Sequence, residues 1–230
     1  MHRVPLAGHV YTSPGGVTGF DADRHITAEV AVAFQRHGYQ FCVRYVRRDT
    51  VNPHDITHDE AAGLLEAGLG LMVVQHVAPA PWTPTADLGA AYGATAATEA
   101  HHLGLPSGVT VWCDLEGVAA GTPEKQVIDF CNRWHSEAAS AGFVPGLYVG
   151  DSPGLGPTQL YRSLRFVHYW SAYNLNDDAQ PAVRGVQMKQ RRAGKADVVT
   201  GHRLEFQVDI VHADALGGLP TLLAPAEWPA

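Results

Sequence analysis

Two carboxylates lie close together in the apolar run Val111-Trp-Cys-Asp-Leu-Glu116. In an extended chain, side chains alternate between faces. Trp112, Asp114 and Glu116 therefore share one face, and Val111, Cys113 and Leu115 share the other. The Cα atoms of Asp114 and Glu116 are then about 6.6 Å apart, at ~3.3 Å rise per residue. Acids this close repel, so one should hold its proton while the other ionises. Splitting two carboxyl pKa values is how a site obtains an acid and an anion at one pH, as glycoside cleavage requires. Two further acids end apolar runs, Asp21 in Gly19-Phe-Asp21 and Asp209 in Gln207-Val-Asp209. We expect Glu116, Asp114, Asp21 and Asp209 to be catalytic. Tyr148, Trp170, Tyr173, Arg44, Gln75 and Gln187 are expected to contact substrate, with Arg44 the one obvious cation on the inner face. The competing reading is structural: strand-end acids cap helices or pair with Arg44. Burying four acids with so little cationic compensation is costly, which favours a functional role.

Converging these side chains requires several strands. Apolar runs at Val17–Asp21, Gln40–Tyr45, Leu69–Gln75, Thr110–Glu116, Gly146–Val149, Phe166–Ser171, Gly185–Lys189 and Glu205–Ile210 alternate with helical stretches. Alternation of this kind predicts βα units and a parallel sheet. Eight strands suffice for a closed (β/α)8 TIM-like barrel of the α/β class. Its active site would lie at the C-terminal mouth, with Asp21 and Asp209 close together once the first and last strands meet. Thr57-His-Asp-Glu60 reads as a capping box, and Thr122-Pro123-Glu124 opens another helix. An Ala-rich helix over 87–103 ends at Gly104-Leu-Pro106. The segments after Tyr173 and after Gln190 lack helical period, so the late crossovers should be short or irregular. With no linker, repeat or low-complexity tract, residues 1–230 read as one domain with a core over about 15–220.

The chain has 230 residues, 46% hydrophobic and 17% charged, with a formal net charge of −7. That composition supports a large core and disfavours nucleic acid or an anionic membrane surface as partner, but not a neutral glycan. No apolar stretch approaches the roughly 18 residues of a membrane span, and the first residues hold no signal-peptide run. The expectation is a protein that acts at the cell wall after release or export by another route, as in phage lysis or on a phage particle, and otherwise stays in the cytoplasm. Cys42, Cys113 and Cys131 match no disulfide or zinc framework and read as buried small hydrophobes. Among 13 histidines, neither His54/His58 nor His101/His102 completes a metal motif, so no metal and no cofactor is expected. Trp82, between prolines, reads first as a packed loop aromatic. Arg191, Arg192 and Lys195 read as a solvated basic loop.

The same residues resemble an actinobacterial glycoside-hydrolase-like barrel family that is similar to the family-25 lysozymes, which are N-acetylmuramidases. Gly19-Phe-Asp21, Arg44-Tyr45, Leu103-Gly-Leu-Pro106, Trp112-Cys-Asp-Leu-Glu116, Gly146-Leu-Tyr148, Tyr169-Trp-Ser-Ala-Tyr173 and Gln207-Val-Asp209 carry it, in order along nearly the whole chain. The resemblance implies a peptidoglycan substrate, with Glu116 as the general acid and Asp114 stabilising developing positive charge or positioning the substrate acetamide. Asp21 and Asp209 would tune that pair, and Tyr148 and Trp170 would orient sugar rings. The stretch Gly185-Val-Gln-Met-Lys-Gln190 departs from the Trp-Gln-Tyr of the lysozymes. A glycan-binding barrel without catalysis is the alternative.

Overall fold

A computed structural model describes residues 4–175, 185–199, 201–212 and 217–228. Among these residues there are ten strands: β1 (His9–Thr12), β2 (Thr18–Ala22), β3 (Phe41–Val46), β4 (Gly70–Gln75), β5 (Thr110–Leu115), β6 (Val144–Val149), β7 (His168–Ser171), β8 (Met188–Arg192), β9 (Gln207–Val211) and β10 (Thr221–Ala224). Five helices accompany them: α1 (Ala28–Arg36), α2 (His58–Glu66), α3 (Ala86–Leu103), α4 (Glu124–Ser140) and α5 (Pro157–Arg162). Strands β2 to β9 close into an eight-stranded barrel with helices between the earlier strands, as expected from the alternating pattern.

One strand departs from the parallel expectation. β2 through β8 run parallel, whereas β9 is antiparallel to both β8 and β2. A parallel partner needs a long crossover, usually a helix. The link from β8 to β9 has, among its described residues, only the 3-10 turn Lys195–Asp197. The chain therefore re-enters the barrel from the mouth and runs downward.

Two apolar clusters follow from strand alternation. Phe41, Val43, Met72, Val74, Trp112, Trp170 and Met188 fill the barrel interior. Phe20, Leu71, Val73, Val111, Leu115 and Leu147 pack outward against the helices. The interior alternates large and small side chains, as a narrow barrel must. A Cβ at Gly146 would strike the Trp112 indole, and one at Gly19 would lie 2.5 Å from the Phe41 ring.

The ribbon of β1 and β10 was not evident in the sequence pattern. It crosses the bottom of the barrel, with Leu223 paired to Leu71 of β4. Leu222 and Ala224 join the interior cluster, and Thr221 bonds Thr110 at the start of β5 (Oγ1 to Oγ1, 3.1 Å).

Three helices open on threonine caps: Thr27, Thr57 and Thr85 accept from the backbone N–H of Val30, Glu60 and Leu88. The box at Thr57 is only half made, because the Glu60 side chain turns to Arg44 and the Ile26 N–H instead. Before α4 the cap falls on Pro123, one residue later than expected, with no side-chain bond. Gly89 and Gly93 of α3 lie against the backbone of Phe130 and Trp134 of α4, so the two longest helices approach closely. The three cysteines are free and buried, as expected. Among the described residues no helix is long and apolar enough to cross a membrane.

Candidate active site

The interior face of β5 delivers Trp112 and Asp114 in rising order, and Glu116 follows just beyond the strand. Asp114 is 8% exposed, while Glu116 reaches solvent. Two neighbouring loops brace the Glu116 loop. The Trp82 indole N–H donates to the Glu116 carbonyl (2.7 Å), the Trp82 backbone N–H donates to Gly117, and the Gly117 N–H donates to the Asp151 carbonyl (2.8 Å). Trp82 is thus the packed loop aromatic expected, its ring edge-on to Phe130 at 5.1 Å. The Glu116 carboxyl opens on a cavity of about 370 Å³ bordered by Val77, Ala78, Pro79, Ala80, Gly117 and Asp151.

The other two acids meet below Asp114. Asp21, on β2, accepts from Gln190 Nε2 at 2.8 Å and from the Tyr45 hydroxyl at 3.4 Å. Tyr148 completes the chain by donating to Gln190 Oε1 at 3.0 Å. Asp209 accepts from the Trp170 indole N–H at 2.9 Å, and its Oδ2 is buried with no hydrogen-bond partner among the described residues. Because β9 runs downward, Asp209 pairs level with Gly19, while Gln207 stands level with Asp21. Asp209 therefore lies mid-strand and fully buried, one layer beneath the mouth, and not at a strand end as expected.

Burial dominates the electrostatics. It lifts Asp21 from 3.8 to about 7, against the lowering effect of Gln190, Asp209 and Tyr45. Burial raises Asp209 well above the usual carboxylate range, and the neighbouring Asp21 adds to it. Asp114 is raised by burial, then by Glu116 and Asp21. Glu116 is raised by burial and then by the charge of Asp151. Burial therefore favours the protonated forms of Asp114 and Asp209. One Asp114 oxygen, Oδ1, is buried with no hydrogen-bond partner among the described residues. A buried polar atom of this kind is costly unless another group supplies a bond.

Of the residues expected to bind substrate, Tyr148 and Trp170 stand in the barrel, their rings 4.6 Å apart and edge-on. Tyr173 lies beside them, half exposed, with the Arg192 guanidinium 4.7 Å from its ring centre. The other three point away. Arg44 has the parity of the outer face and is fully buried. Its Nε donates to Glu60 at 2.7 Å, and its other nitrogens donate to the Ala22 and His54 carbonyls. Gln75 also faces outward, accepting from the Trp134 indole (2.8 Å) and donating to the Tyr92 carbonyl (2.8 Å). Gln187 is fully buried and accepts from the Tyr169 backbone N–H. β8 begins at Met188, so its inner face carries Met188 and Gln190. Gln190 is the residue the sequence reading missed, because that reading ended the strand at Lys189. Shared parity with the apolar Met188 was the available signal. Tyr45 had the same signal, two residues beyond Val43.

A profile of the family described as the Rv2525c-like, glycoside hydrolase-like domain matches residues 32–211. Among solved structures, the catalytic domain of the endolysin ply40 from Listeria monocytogenes bacteriophage P40 superposes with a TM-score of 0.62 at 14% identity, covering 86% of this chain and 94% of that one. A family 25 glycosyl hydrolase from Bacillus anthracis gives 0.58 at 10% identity, covering 93% and 96%. The bacterial lysozyme from Streptomyces coelicolor gives 0.54 at 12% identity, covering 88% and 95%. These likenesses establish the barrel fold. No curated protein matches the chain in sequence.

Proposed function

Because the chain belongs to the Rv2525c-like, glycoside hydrolase-like family, we propose that it hydrolyses the β-1,4 glycosidic bond of cell-wall peptidoglycan. The observation that carries this reading is the pairing at the end of β5. A solvent-reaching acid, Glu116, stands directly above a buried carboxyl, Asp114, whose Oδ1 lacks a partner. Glu116, whose carboxyl is raised by burial and by Asp151, gives its proton to the glycosidic oxygen as the C–O bond breaks. Water supplies the oxygen that joins the anomeric carbon, and the proton it releases restores the acid form of Glu116. The free Asp114 oxygen suits an N–H donor such as a substrate acetamide. Asp21, Asp209, Gln190 and Tyr148 hold the floor beneath it, and Trp170 fixes Asp209. The structural neighbours, a lysozyme and an endolysin catalytic domain among them, favour a cell-wall glycan. On this reading the protein works at the cell wall.

The test is release of reducing ends from purified peptidoglycan by wild type and Glu116→Gln at matched folding. We expect release by wild type only. An active Glu116→Gln protein would remove Glu116 from the acid role. One observation favours a second reading, a glycan-binding barrel without catalysis: Asp21, Asp114 and Asp209 are sealed inside, each at most 8% exposed. Glycan binding by both proteins with no reducing ends from either would support that alternative.

A further inference from the structure

We propose that Asp151 is a positioning residue for the same site, an exposed carboxylate that keeps the proton on Glu116. This proposal rests on the assignment of Glu116 as the acid. Asp151 and Glu116 are the two carboxylates bordering the 370 Å³ cavity; its other described walls are Val77, Ala78, Pro79, Ala80 and Gly117. The backbone holds them together. Gly150 occupies the inner-face position after β6, and a Cβ there would fall on Glu116 Oε2. The Glu116 carboxyl thus lies flat against the chain one residue before Asp151.

The Asp151 loop is tied to the Glu116 loop twice. Gly117 N–H donates to the Asp151 carbonyl at 2.8 Å, and Val118 N–H donates to the Ser152 carbonyl at 2.9 Å. Ser152 takes a positive φ of 53° to make that turn and bonds Asp151 Oδ2 through its hydroxyl at 3.1 Å. The loop is therefore built to keep Asp151 beside Glu116.

Other charges near Glu116 do not offset this pair. From β5 comes Asp114, whose carboxyl burial raises well above the usual range. From β6 comes Tyr148, whose phenol is pushed up by burial and by the surrounding acids. The 77–80 wall carries no titratable group of its own; Arg48 donates to the Val77 carbonyl and is paired with Asp49 at 3.0 Å. His76, at the end of β4, faces Asp55 at 3.1 Å and Asp23 at 3.9 Å. A like charge beside an acid favours its protonated form, and Asp151 is the acid whose charge bears on Glu116.

The experiment follows Glu116 by 13C-carboxyl NMR across a pH series in glutamate-labelled protein, its signal assigned by loss in Glu116→Gln. In Asp151→Asn the Glu116 midpoint moves to lower pH, and Asp151→Glu restores it. In parallel, the basic limb of the pH profile of kcat/KM for reducing-end release moves down in Asp151→Asn, with KM nearly unchanged. A Glu116 midpoint unmoved in Asp151→Asn overturns the proposal. A wild type that releases no reducing ends overturns the glycosidase reading alone, because the NMR midpoint still decides the pairing.

Discussion

Replacing Asp21 by Asn should stabilise the protein at alkaline pH and destabilise it slightly at acid pH, by about 1–2 kcal/mol, where only the mismatched hydrogen bonds remain. Asp21 is buried, and its hydrogen-bond partners are Gln190 and Tyr45, neither of them a cation. Burial raises its carboxyl from 3.8 to about 7. The folded protein therefore keeps a proton that the unfolded chain releases near 3.8. Below that pH both states are protonated and no difference exists. As pH rises toward 7, stability falls, and above 7 the cost of the buried charge is complete. The rise corresponds to about 4 kcal/mol as an upper bound. Asn cannot ionise and so escapes this cost. It exchanges an acceptor for a donor, which costs about 1 kcal/mol for each mismatched bond. A net gain of about 2–3 kcal/mol remains, or roughly 4–12 °C in Tm for a chain of this size. Thermal unfolding of wild type and Asp21→Asn at pH 4 and pH 8 measures it. An equal shift at both pH values would show that ionisation plays no part. A loss of stability at pH 8 would show that hydrogen bonds hold the Asp21 carboxylate more strongly than burial opposes it. Either result would refute the reasoning.

Two other perturbations test the frame around the site. Glu60→Ala leaves the fully buried Arg44 guanidinium without its carboxylate and the Ile26 N–H without its acceptor. Urea unfolding should show a loss of about 3–5 kcal/mol at unchanged slope. Gly146→Ala places a methyl group against the Trp112 indole inside the barrel. The same measurement should show a loss of about 1–3 kcal/mol from overpacking, and Trp112 fluorescence should change with it.

Much of the fold can be read locally. The runs that alternate with helical stretches became the barrel strands, and the threonine caps open three helices. On β5 the apolar parity of Val111, Cys113 and Leu115 already places Trp112, Asp114 and Glu116 together. At β8 the same logic faltered, because Val186, Met188 and Gln190 continue one parity past the expected end at Lys189. Moving the strand by three residues exchanged Gln187 for Gln190, since an odd step reverses the face. Arg44 was misplaced for a similar reason. Its neighbours Val43 and Tyr45 are the inner residues of β3, and a charged side chain among apolar ones was read as facing the mouth. The acid it pairs with, Glu60, had been assigned to the cap of α2.

By itself, then, the sequence determined which face of each well-bounded strand carries its polar residues, because alternation is a property of the extended backbone and needs no partner. It also determined that the acids from β2, β5 and β9 lie on interior faces. Tertiary structure alone decided the direction of β9, and with it the depth of Asp209, since strand direction depends on the path by which the chain returns. The partners were settled there too: Arg44 with Glu60, Asp21 with Gln190, Gly117 with Asp151. These contacts join residues far apart in the chain, and only closure of the barrel fixes the register in which they meet.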